Sequence, residues 1–174
     1  MHLRARNEEA GFGLIELLMA MTMLNVGILA LIAAFQSGAF ALQRAGKLST
    51  AAAIADIQLE RYRGYTYCGI LFAPADVAAL DSTYTGDTAA YTGTPLTPAN
   101  DPKCTTATPP ADSKPSLTMT GPDSQPYRVD VYIAADTVAS ARPIKRVTVV
   151  VRDGRTNSKV YARVGSTFDE GTGS

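Results

Sequence analysis

The chain has 174 residues, enough for one domain of ordinary size. Its 16 Lys and Arg balance 16 Asp and Glu, so no basic field marks a nucleic-acid partner and no acidic field gathers cationic substrates. The single His is His2, which excludes a histidine-based catalytic device and a multi-imidazole metal site in the body of the domain.

In chain order, residues 1–11, MHLRARNEEAG, are short and polar, with Arg4 and Arg6 near the start. Residues 12–35 are almost wholly apolar, interrupted by Glu16, Thr22 and Asn25. Residues 36–63 continue without proline and are rich in Ala, Leu, Gln, Arg and Lys, all good helix formers. No proline lies between Phe12 and Ala73, so one helix is expected over 12–63, ending at Gly64. Such a rod is about 80 Å long, and its first 24 residues alone span about 36 Å, enough to cross a hydrocarbon core of about 30 Å. In its second half, Leu42, Ala45, Leu48, Ala52, Ala55, Leu59 and Tyr62 recur at spacings of three and four and so share one face. Ile54 and Ile57 lie off that stripe. They either meet another subunit or flank a broad core stripe, and the pattern does not choose between the two.

Residues 64–126 change character. They are dense in Thr, Pro, Ala, Gly and Asp and hold nine of the ten prolines, which predicts an irregular connector with a short helix at Pro74 to Asp81. Residues 127–174 read as strands and a polar tail. Tyr127, Val129, Val131 and Ile133 alternate with Arg128, Asp130 and Tyr132; Val147, Val149 and Val151 with Arg146, Thr148, Val150 and Arg152; Val160, Ala162 and Val164 with Lys159, Tyr161 and Arg163. Period-two alternation predicts half-buried strands. The polar link Asp153 to Ser158 suits a hairpin between the last two. The expected fold is α+β: a three-stranded antiparallel sheet laid on the helix stripe buries both apolar faces.

Two cysteines, Cys68 and Cys104, are too few for a structural zinc site. If the body of the protein lies outside the cytosol, they read as one disulfide closing a loop of about 36 residues, worth about 2–4 kcal/mol; otherwise they are two unrelated buried thiols. No catalytic residue is expected, because no Ser or Cys has a His partner in the domain. No cofactor is expected either: there is no phosphate- or dinucleotide-binding glycine pattern and no calcium-loop spacing. Asp81 and Asp87, in a Thr-rich stretch, read as members of a solvated loop rather than of a metal site. Tyr84 and Tyr91 in the same stretch are the residues an adhesive loop would use.

The N-terminus departs from a secretory signal. Its apolar run is about twice the usual 7–15 residues, and no small-residue cut site follows it. The candidate cut precedes the run, at Gly11, and Arg4 and Arg6 on the cytoplasmic side would place the body outside. The motif G-F-G-L-I-E-L, Gly11 to Leu17, with its long apolar helix, resembles the class III signal of type IV pilins and type II secretion pseudopilins. The run LLMAMTMLNVGILAL is most similar to minor pilins of the PilV type and related minor pseudopilins. The resemblance implies a pilin-like fold, cleavage by prepilin peptidase after Gly11, N-methylation of Phe12 and an assembly role for Glu16. It also implies residues 1–11 as leader, 12–35 as transmembrane and filament-core helix, and 36–63 as its amphipathic continuation. The expected partners are other pilin or pseudopilin subunits, prepilin peptidase, the membrane and an inner-membrane assembly platform, with no nucleic acid. A structural subunit of a type IV pilus is the first expectation, a pseudopilin of a type II secretion system the second, and a signal-anchored binding domain the third. Two features differ from the usual pattern: Gly13 stands where Thr or Ser is common, and Glu8, Glu9 and Ala10 precede the cut where basic residues often sit.

Overall fold

A computed structural model describes residues 13–90, 93–136 and 143–171. The order of elements is α1 (Leu14–Arg63), a short 3-10 turn (Tyr67–Gly69), α2 (Pro74–Ala78), α3 (Ser82–Thr85), β1 (Ser116–Thr120), β2 (Pro126–Asp136), β3 (Ile144–Asp153) and β4 (Val160–Asp169). The four strands form one antiparallel sheet in the order β1-β2-β3-β4. The chain divides into two compact units, Met1–Arg44 and Ala45–Ser174.

In the first unit, α1 is long and apolar enough to cross a membrane. Its large side chains, among them Leu14, Met23, Leu29 and Phe35, are exposed along its length. So many exposed large apolar side chains on one helix call for lipid or other chains around it.

In the second unit, α1 buries Ala51, Ile54, Ala55, Gln58, Leu59 and Tyr62. These recur at spacings of three and one, a single stripe on a 3.6-residue helix. The stripe is rotated from the one the spacing predicts. Ile54 belongs to the core, whereas Leu48 and Ala52 are exposed and Ile57 is 61 % exposed. Alanines at 51, 52, 53 and 55 offer almost the same weak signal on adjacent faces, so packing on the sheet decides the rotation. Arg61 and Arg63 in the last turn complement the negative end of the helix dipole, and the helix stops at Gly64.

That stripe packs on one face of the sheet. Tyr127, Val129, Val131 and Ile133 of β2, Val147, Val149 and Val151 of β3, and Phe168 of β4 join it in one core. The β3–β4 hairpin turns through Asn157, whose φ of 58° lies in the left-handed region that Asn tolerates. Gly154 in the same turn lies against β2: its amide bonds the Pro126 carbonyl at 3.0 Å, and a side chain there would meet that backbone at 2.7 Å.

The region 64–126 is more ordered than its composition predicts. It supplies β1, a fourth strand, whose Leu117 and Met119 pack against the core. The helix expected over Pro74 to Asp81 stops at Ala78; Asp81 instead caps α3, accepting the Tyr84 amide at 3.0 Å. The region also covers the outer face of the sheet. Tyr84 stacks on Tyr132 with ring centres 4.3 Å apart and packs with Val150. The Tyr84 hydroxyl donates to the Val131 carbonyl at 2.6 Å. The central strands are therefore buried on both faces, not half-buried as alternation predicts. Cys68 and Cys104 are joined by a disulfide, with Cα atoms 5.3 Å apart, tying the segment after α1 to the middle of this region.

Candidate functional site

Gly11 and Phe12, the expected cleavage and methylation positions, lie outside the described residues. Glu16 lies in the first turn of α1, where its amide donates to the Gly13 carbonyl at 2.9 Å and the helix dipole favours an anion. Its side chain is exposed, and its neighbours one turn on are Met19 and Ala20. No cation stands within ion-pair distance of it among the described residues. Further along, Leu31, Ala34, Phe35, Gly38, Ala39 and Leu42 line an open apolar groove on the helix surface. Nearer Glu16, every position from Leu14 to Leu24 except Glu16 and Thr22 carries an apolar or alanine side chain, and the Thr22 hydroxyl turns back onto the Met19 carbonyl at 2.8 Å.

The second constellation is a chain of ion pairs on the outer face of the sheet. The Arg128 guanidinium grips both oxygens of Asp81, at 2.5 and 2.7 Å, and also bonds Asp130 at 2.8 Å. Asp130 is fully buried and accepts from Arg152 Nε at 2.9 Å and from the Ser116 hydroxyl at 2.8 Å. Arg152 also bonds Asp87, which takes Arg163 at 3.0 Å. The hydrogen bonds from Arg128, helped by the Tyr84 amide, overcome burial and hold the Asp81 carboxyl down at about 2. Asp81 and Asp87 both lie in loop positions; the Asp81 side chain stays 51 % exposed, as expected of a solvated stretch, whereas the Asp87 side chain is buried. They neutralise arginines that alternation aimed at solvent. Tyr84 is buried rather than displayed, and Tyr91 lies outside the described residues. Among the described residues no cluster of three His, Cys, Asp or Glu side chains is placed to hold a metal ion.

A third cluster surrounds Lys145, which is fully buried on the core face of β3. Its ammonium lies 2.7 Å from Asp101 Oδ2, 2.9 Å from the Tyr67 carbonyl, 3.3 Å from the Ile70 carbonyl and 3.8 Å from Cys104 Sγ. It also sits 4.4 Å from the centre of the Tyr67 ring. Asp101 in turn accepts the amides of Lys103 and Cys104 at 2.8 and 3.1 Å. Burial pulls the Lys145 amine below its usual range, against the opposing pull of Asp101. For Asp101 burial acts upward, but Lys145 and the two amides prevail and its carboxyl lies low. The signal for this cluster was present in the alternation itself: Lys145, Val147, Val149 and Val151 occupy one side of β3.

No protein-family model, curated protein or solved structure matches the chain. What the arrangement can do is therefore read from its own chemistry. The two buried ion clusters hold the region 64–126 against the sheet. The first half of α1, apolar, exposed and with one carboxylate in its first turn, is the feature these two clusters do not involve.

Proposed function

We propose that this chain is a pilin-like structural subunit, a minor one, anchored by α1 in the inner membrane with its C-terminal domain outside, and then built into a type IV pilus. The observation that carries the reading is Glu16: an exposed carboxylate in the first turn of α1, the only charged residue between Leu14 and Gln43 in a largely apolar, exposed stretch. An ionised carboxylate in hydrocarbon costs several kcal/mol unless it finds a partner. Cleavage after Gly11 creates one, the amine of Phe12 on a neighbouring subunit. Helices then pack side by side, N-termini staggered, with the apolar surface of 14–42 as filament core. The packing of the second half of α1 on an antiparallel sheet supports a pilin-like fold. In this reading prepilin peptidase cuts and methylates the chain, and an inner-membrane assembly platform adds it to the other subunits.

The deciding experiment is N-terminal peptide mass spectrometry on membrane fractions from cells with active prepilin peptidase. The expected mature chain begins at N-methylated Phe12; an intact Met1 start overturns the proposal. Glu16→Ala should leave cleavage largely intact and impair incorporation into filaments, read by immunoblot of sheared pili. Wild-type incorporation of that variant would remove the pairing role of Glu16.

A further inference from the structure

The disulfide is chemically lopsided. Cys104 is 2 % exposed and its sulfur lies 3.8 Å from the Lys145 ammonium. Cys68 is half-buried, and no hydrogen-bond donor stands at its sulfur among the described residues. A thiolate is the leaving group in disulfide exchange, and the sulfur better able to carry negative charge leaves faster. Access and charge stabilisation therefore select the same direction: attack at Cys68, departure at Cys104.

We propose that Cys68 is the docking cysteine for a dithiol oxidoreductase and that Lys145 polarises the bond by receiving Cys104 as its thiolate. The incoming thiolate attacks Cys68 Sγ. The Cys68–Cys104 bond breaks and its electron pair stays on Cys104 Sγ beside Lys145. Cys104 is thereby reduced, and the incoming sulfur is oxidised into a mixed disulfide on Cys68. The second thiolate of the oxidoreductase then attacks its own mixed-disulfide sulfur, and Cys68 departs as a thiolate that takes a proton from water. The same path run backwards forms the bond: an oxidised partner loads Cys68, and the Cys104 thiolate, held by Lys145, displaces it.

The charges facing this sulfur set the strength of the effect. Asp101 shares the ammonium and opposes a new anion, while the Tyr67 and Ile70 carbonyls orient the remaining N–H groups. The Lys103–Glu170 pair, 2.6 Å long, belongs to the same end of the domain; Asp101 and Glu170, after burial, help to raise the Tyr67 hydroxyl and keep it protonated. The ammonium is thus the one cation in hydrogen-bond reach of Cys104 Sγ among the described residues.

The test uses the full chain in detergent, with glutathione as the attacking thiol. Acid quenching, maleimide capping and peptide mapping should find glutathione on Cys68 and maleimide on Cys104. Glutathione on Cys104, or divided evenly, overturns the proposal. Lys145→Met should slow reduction at neutral pH by at least about threefold while the near-ultraviolet circular dichroism stays native. A folded variant reduced at the wild-type rate removes the lysine from the mechanism. If that variant does not fold, Cys68→Ser decides: the ultraviolet thiolate absorbance of Cys104 should rise at lower pH in the folded chain than in urea. An equal or higher midpoint in the folded chain overturns the role of Lys145. None of these outcomes depends on the pilin reading.

Discussion

Asp81 carries two functions on one side chain. One oxygen caps α3 through the Tyr84 amide, and both receive the Arg128 guanidinium. The capping function needs only an oxygen acceptor, whereas the ion pair needs the charge. Its carboxyl moves from an ordinary 3.8 to about 2 on folding. The sign follows from linkage: the pair contributes its full stability above about pH 4 and loses it as pH falls through about 2. Urea unfolding followed by near-ultraviolet circular dichroism should show stability declining across that window. Asp81→Asn keeps the cap and removes the charge. It should cost up to about 1 kcal/mol at pH 7, since the Asp81 side chain is 51 % exposed, and should flatten the acid decline. An unchanged acid profile would show that other carboxylates dominate it. Lys145 and Asp101 teach a related lesson: two opposite charges enter the core together, each with further polar contacts, because either alone would be a buried unpaired ion.

At the scale of elements, α1 is one helix with two environments. From Leu14 to about Leu42 its surface is largely apolar and exposed; from Ala51 to Tyr62 one stripe is buried on the sheet. Ile54 and Ile57 separate the two sides of that second half. Ile54→Ala removes methylene groups from a packed core and should cost about 2–4 kcal/mol. Ile57→Ala, at an exposed site, should change stability by no more than about 0.5 kcal/mol. Urea midpoints of the two variants measure the difference, and equal losses would mean that the helix is rotated from the orientation described. Helix, strand type and the β3–β4 hairpin were legible because each rests on a local period or a turn motif. β1 was not read, although Leu117 and Met119 alternate with Ser116, Thr118 and Thr120. Pro115 and Pro122 close around it and the composition of a loop concealed a five-residue strand.

At the scale of the whole molecule, the region 64–126 is held by several ties. Cys68–Cys104, Lys145–Asp101, Lys114–Asp76 and the Asp81–Arg128 and Asp87–Arg152 pairs fasten it at separate points. The disulfide closes a separation of 36 residues, so its reduction should lower stability by about 2–4 kcal/mol, read as a drop in urea midpoint with a phosphine reductant. No change would mean that the charge pairs alone secure the region. The apolar segment, the long helix, the two alternating central strands and the Gly11–Phe12–Glu16 motif are all written in the sequence, because each is a pattern of neighbours along the chain. Which side of the helix faces the sheet, that Arg128, Asp130 and Arg152 are buried, and that Lys145 reaches Asp101 and Cys104 were decided only by tertiary structure. Most of those contacts join residues far apart in the chain, Arg152 standing 22 positions from Asp130 and 65 from Asp87, and their energy depends on burial and pairing, which no local period encodes.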